Sequence, residues 1–242
     1  VRHALPDAII QSQLKQMPAS WHAPLLEQLH SPDRASLEKS VEAARLLGTA
    51  AADAKFIERL GQLAHDSQVP AALRLRALAA LPAARRPLDS LVLQFLVEHL
   101  DIDRPVVVRA ITVDVMLSSP LNTESWIEVT RALPSTGPME LKRLMEGFAK
   151  LKDPKIGELL VESLAGSPAL TSLDARTLET QLSGYGPAVL ASAAPLFEEI
   201  ARENQEKNAK LETVLKLVPA ADIRRGLEVF RNTKAACITC HQ

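Results

Sequence analysis

One arginine position recurs through this chain at a nearly constant interval, and the interval limits the folds open to it. Arg45, Arg76, Arg109, Arg143 and Arg176 lie 31, 33, 34 and 33 residues apart, and two positions after each stands Leu47, Leu78, Ile111, Met145 or Leu178. Lys210 continues the series less cleanly. Between the arginines a second helical pattern returns, at 88–100 (LDSLVLQFLVEHL), 123–133 (TESWIEVTRAL), 154–164 (PKIGELLVESL) and 187–200. A period near 33 with two helices per unit indicates an all-α chain built as an α-solenoid of helical hairpins. Each pair is apolar on one side and cannot bury that side alone, so neighbours must stack.

Composition agrees with many short helices. Hydrophobic residues make up 47% of the 242 but aromatics only 3%, so the interior has to be built of Leu, Ala, Val and Ile. Prolines 70, 105, 120, 138, 154, 168 and 187 fall in the gaps or at first helical positions, where a missing N–H costs little. Ahead of the periodic part, a helical pattern over 1–16 ends at Pro18, and Ser20 is expected to cap a second helix reaching Leu29. Stripes at Leu37, Val41, Ala44 and Leu47, and at Phe56, Ile57, Leu60 and Leu63, mark two more helices. The formal net charge is −1 without long blocks of one sign, which implies neither nucleic acid nor an anionic membrane surface as a partner. With no run of eighteen apolar residues, no transmembrane segment is expected.

Residues 103–111 (DRPVVVRAI) resemble the D-x-P-x-V-R-x-x-A opening of HEAT-like repeats, and on that resemblance five or six units fill 1–218. The tetratricopeptide pattern fits worse, since its Trp, Gly and Tyr positions are not filled in series. The recurring arginines are expected to serve the stack, capping helix ends and bridging to acidic residues of neighbouring units. A basic ladder for an acidic partner is the competing reading.

The chemistry-bearing motif is at the other end. Residues 226–242 (GLEVFRNTKAACITCHQ) place Cys237, Cys240 and His241 in the order C-x-x-C-H, and these are the only two cysteines in the chain. Such a spacing suits covalent haem attachment: two thiols about one helical turn apart add across the vinyl groups, and the adjacent imidazole becomes an axial ligand of the iron. A redox dithiol, half of a zinc site and a local disulfide are the alternatives. Zinc needs further ligands that no second Cys pair or H-x3-5-H supplies, and no βαβ pattern supports a thioredoxin-like pair. Upstream, Pro219 should stop one helix and Asp222 should cap another over Ile223 to Phe230, with Gly226 and Phe230 on one side of it.

This G-x3-F helix followed by C-x-x-C-H-Q resembles the start of the haem-binding domain of class I cytochromes c. The resemblance implies haem c as cofactor, with Cys237 and Cys240 as thioether donors and His241 as proximal ligand. It also makes 219–242 the N-terminal fragment of that domain, in what is expected to be an internal piece of a longer protein. HEAT-like repeats running into such a module are similar to the large propeller, HEAT and cytochrome c proteins of planctomycetes and verrucomicrobia. By that similarity the chain is a periplasmic or extracytoplasmic electron-transfer segment whose solenoid acts as spacer and docking scaffold. Its partner would be a redox protein or an upstream dehydrogenase domain, and the segment itself would not be catalytic. The alternative is a protein-interaction scaffold without redox activity. His3, His22, His30, His65 and His99 stand singly and are expected at surfaces or helix ends; Met17, Met116, Met139 and Met145 are expected in the core. Gly184-Tyr185-Gly186-Pro187 reads as a turn.

Overall fold

The structure, a computed structural model, describes residues 4–11, 14, 17–49, 53–86, 88–232, 234 and 237, with backbone only at 4, 5 and 220. The described residues are all-helical: fourteen α-helices, short 3-10 turns and no strand, apart from one isolated antiparallel bridge between Asp101 and Thr136. In order the helices are α1 (Ala4–Gln11), α2 (Ala19–Leu29), α3 (Arg34–Leu47), α4 (Ala54–His65), α5 (Ala71–Ala80), α6 (Ser90–Glu98) and α7 (Val106–Leu117). There follow α8 (Thr123–Ala132), α9 (Pro138–Phe148), α10 (Pro154–Ala165), α11 (Ala175–Ser183), α12 (Pro187–Ser192), α13 (Ala194–Leu215) and α14 (Ile223–Arg231).

Local chemistry accounts for most of these boundaries. The side chains of Asp33, Asp53, Asp89, Asn122, Asp153 and Asp174 each accept a first-turn amide hydrogen, satisfying donors that have no partner within the helix. Pro18, Pro70 and Pro105 immediately precede α2, α5 and α7, while Pro138, Pro154 and Pro187 open α9, α10 and α12. Gly186, at φ 108°, makes the turn into α12 in a conformation that a Cβ would strain. Several boundaries differ from the sequence reading. α1 spans Ala4–Gln11, short of the expected 1–16, and Leu14 stands outside it. Ser20 lies inside α2, whose cap position is held by Pro18 without a side-chain bond. The expected helix 187–200 is two, because α12 ends at Ala193 and α13 starts afresh and continues to Leu215.

The chain divides into two compact units, Val1–Leu196 and Phe197–Gln242. That division lies upstream of the 218/219 limit expected from the sequence. In the first unit alternate helices touch: α1 with α3, α3 with α5, α5 with α7 and α7 with α9 on one side, and α2 with α4, α6 with α8, α8 with α10 and α10 with α12 on the other. Their apolar stripes meet in a core where Leu25, Phe56, Leu60, Leu78, Leu96, Met116 and Phe148 are fully buried. Each such side chain removed from water contributes about 1.5–3 kcal/mol.

A second set of contacts ties residues roughly thirty positions apart. Arg59 Nε donates to Leu29 O (3.0 Å), Thr49 Oγ1 to Ala80 O (2.5 Å), Ser167 Oγ to Leu133 O (3.1 Å) and Tyr185 OH to Phe148 O (2.5 Å). Arg86 reaches Leu78 O, Leu81 O, Val115 O and the hydroxyls of Ser118 and Ser119. Most of these acceptors are carbonyls in the last turn of a helix, which have no partner within it. Side chains add donors to them, beside the amide hydrogens of Leu81, Thr136 and Leu151 that Leu78 O, Leu133 O and Phe148 O also accept, so helices touch at their ends as well as along apolar faces.

The second unit holds α13 from Phe197 onward, a 3-10 turn at Val218–Ala220, and α14. Arg202 pairs with Glu199, and Lys207 with Glu203 at 3.5 Å, one turn apart along α13. No described residue after Ile200 is buried; Leu211, Val214, Leu215, Leu217 and Val218 are all more than half exposed.

Candidate functional site

Asp222 starts the segment that leads to the cysteines. Its Oδ1 accepts the amide hydrogens of Arg224 (2.9 Å) and Arg225 (3.1 Å), and α14 then runs to Arg231. Helical spacing puts Ile223, Gly226, Leu227 and Phe230 on one face. That face is open: Ile223 is 87% exposed, Leu227 47%, Phe230 is half-buried, and a Cβ built on Gly226 would meet no atom within 4 Å. The helix ends at Asn232, whose amide donates to Val229 O and whose Oδ1 accepts from Lys234 N–H (2.8 Å). Cys237 is half-buried. Cys240 and His241, the other two members of the motif, lie outside the described residues. Arg224, Arg225, Arg231 and Lys234 outnumber Asp222 and Glu228 along this stretch.

Four of the five periodic arginines pair with carboxylates, Arg45 within its own helix and Arg76, Arg109 and Arg143 across helices, while Arg176 is exposed. Arg45 grips Glu42 through Nη2 (2.6 Å) and Nε (3.0 Å), which holds the Glu42 carboxyl below its ordinary pKa against the opposing effect of burial. Arg76 approaches the same carboxylate at 3.9 Å from the next first helix. Arg143 Nη2 bonds Asp114 Oδ1 of α7 at 2.5 Å. Arg109 is the most enclosed of the five. Its Nη1 donates to Ile102 O (2.8 Å) and Arg104 O (2.6 Å), and its Nε lies 3.2 Å from Glu140 Oε1, off the hydrogen-bond axis. Glu140 is 3% exposed and its Oε2 accepts no hydrogen bond. The acidic partners sit on different helices and at different offsets, so no sequence period marks them. Of the other residues singled out from sequence, Met17, Met116 and Met145 are buried, but Met139 is 69% exposed, on the side of α9 opposite the buried Leu141, Leu144 and Phe148. Trp126 packs edge-on against Phe148 (4.7 Å between ring centres), and Tyr185 is buried, its hydroxyl pushed up to about 12 by loss of water.

Among the histidines, His3 lies outside the described residues. His30 closes α2, His65 stands 3.7 Å from Asp89, and His99 is buried at the end of α6. Among the described residues no three His, Cys, Asp or Glu side chains converge as metal ligands, and no helix is long and apolar enough to cross a membrane. A cavity of about 600 Å³ lies between α6 and α8 and is lined by Glu98, Asp101, Asp103, Arg104, Glu128 and Arg131, with others. Much of that charge is used locally: Glu128 pairs with Arg131, Glu98 accepts from Gln94, and Asp101 accepts the Asp103 amide.

The described residues are all-helical, and the C-x-x-C-H order of Cys237, Cys240 and His241 is a feature of the sequence. Comparison with known families, with characterised proteins and with solved structures finds no match.

Proposed function

We propose that this chain is the electron-transfer segment of a multidomain extracytoplasmic redox protein. Cys237 and Cys240 would carry a covalent haem c and His241 would ligate its iron from the proximal side. The observation that carries the reading is the motif itself, with both cysteines of a 242-residue chain set two residues apart directly before a histidine. The neighbouring helix fits a haem domain. α14 has a fixed start at Asp222, a bare Gly226 and an open apolar face at Ile223, Leu227 and Phe230, which is the face that such a domain would close with a further helix. Haem supplies one-electron chemistry at iron. The protein's part is to hold the group through two thioether bonds, to place an imidazole on the metal and to exclude water from one side of the ring.

On this reading the helix pairs of 1–218 are a HEAT-like solenoid that spaces and docks the haem segment beside a redox partner or a donor domain. The stack of alternate helices and the bonds spanning about thirty residues support it. Expression in a bacterium equipped for c-type cytochrome maturation tests the cofactor. A haem stain that survives denaturing electrophoresis, and is lost in Cys237→Ala/Cys240→Ala, is the expected result. A well-folded protein without covalent haem would overturn the proposal and leave the helix array as a partner-binding scaffold.

A further inference from the structure

Among the described residues, His99 is the histidine that the fold buries, with cationic neighbours. It closes α6, where Nδ1–H donates to Phe95 O at 2.6 Å, and its ring lies 4.4 Å from the Phe95 ring. The Arg74 guanidinium of α5 sits 3.8 Å from the centre of the same phenyl ring, so histidine, phenyl and guanidinium form one cluster between α5 and α6. His99 is 7% exposed. The charged groups bearing on it are Arg74 from α5, Arg104 from the turn that follows and Glu98 on α6 itself. Across the neighbouring cavity, Glu128 and Arg131 of α8 are paired with each other. Desolvation first, and then the two arginines, work against a proton here, while the Phe95 carbonyl and Glu98 oppose them; the ring's pKa is held below its ordinary value.

His99 leads into a turn that is tied to a second turn. Leu100 behind it is fully buried, Ile102 N–H donates to Ser135 O at 2.8 Å, and the Asp101–Thr136 bridge ties the turn after α6 to the turn after α8. The same turn forms one wall of the α6–α8 cavity. We propose that the Arg74–Phe95–His99 cluster is an acid-sensitive joint, locked when His99 is neutral and loosened over residues 95–104 when it takes a proton. The sign follows from linkage. A histidine whose folded pKa is depressed costs nothing above the unfolded value, and its penalty grows as pH falls below about 6.5.

Two measurements on the full chain test the joint. The NMR titration of the His99 ring is expected to have its midpoint below about 6.5. Amide exchange over 95–104, corrected for intrinsic rates, should lose protection several-fold between about pH 7.5 and about pH 5.5, while His99→Gln, which keeps a donor toward Phe95 O, should show no such step. A midpoint at or above the ordinary value would overturn the proposal, and so would an equal loss of protection in the variant. The titration needs only the parent protein, so a poorly folding variant leaves the test intact.

Discussion

α8 in the first unit and α14 in the second begin in the same way and end up in opposite surroundings. Asn122 accepts the Ser125 amide hydrogen, as Asp222 accepts those of Arg224 and Arg225, and both helices run nine or ten residues. α8 buries Trp126 and Val129 against neighbours, whereas Ile223, Leu227 and Val229 of α14 face solvent. The difference shows that a cap and an amphipathic pattern are enough to set out a helix but not to bury it. Burial needs a second apolar face at the right distance, and the first unit supplies one for almost every pair. Isolated helices of this length are marginal in water, so an uncovered α14 would draw little stability from its own bonds.

Substitutions on either side of that contrast should differ in size. Phe148→Ala removes a fully buried ring that packs edge-on against Trp126, and should cost about 3–5 kcal/mol in urea unfolding of the whole chain. A much smaller loss would mean that α9 packs more loosely than its contacts indicate. Asn122→Ala should cost about 1 kcal/mol in the same measurement, because the amide of Ser125 loses its acceptor at a helix that is locked into the stack. Leu227→Ala should stay within about 0.5 kcal/mol, as for other exposed positions. If Leu227→Ala costs as much as a core truncation once haem is attached, the open face of α14 is covered in the holoprotein and the contrast between the units disappears.

Much of this organisation could be read from the chain in advance. The helical pattern, the proline punctuation, the cap at Asp222 and the turn before Pro187 all appear where the residue types placed them, because each depends on neighbours within about four positions. The exceptions are instructive. Ser20 is a good cap residue, yet Pro18 holds that place with φ already set. The pattern over 187–200 looks continuous, but the backbone breaks at Ala193. Met139, expected in the core, stands in water because it falls on the outer side of α9, while Glu140 and Leu141 beside it face inward.

The chain by itself determined that it would be helical, where most helices start, and that Cys237, Cys240 and His241 stand in the order C-x-x-C-H. These follow from short-range spacing and from what the backbone needs at helix ends. Only the tertiary structure decided which acids meet Arg76, Arg109 and Arg143, that Tyr185 and Thr49 donate to carbonyls in neighbouring helices, and that Phe95 is shared by His99 and Arg74. The contacts between helices join residues twenty-one to thirty-seven positions apart, and their partners are set by how the helices pack rather than by any interval along the chain.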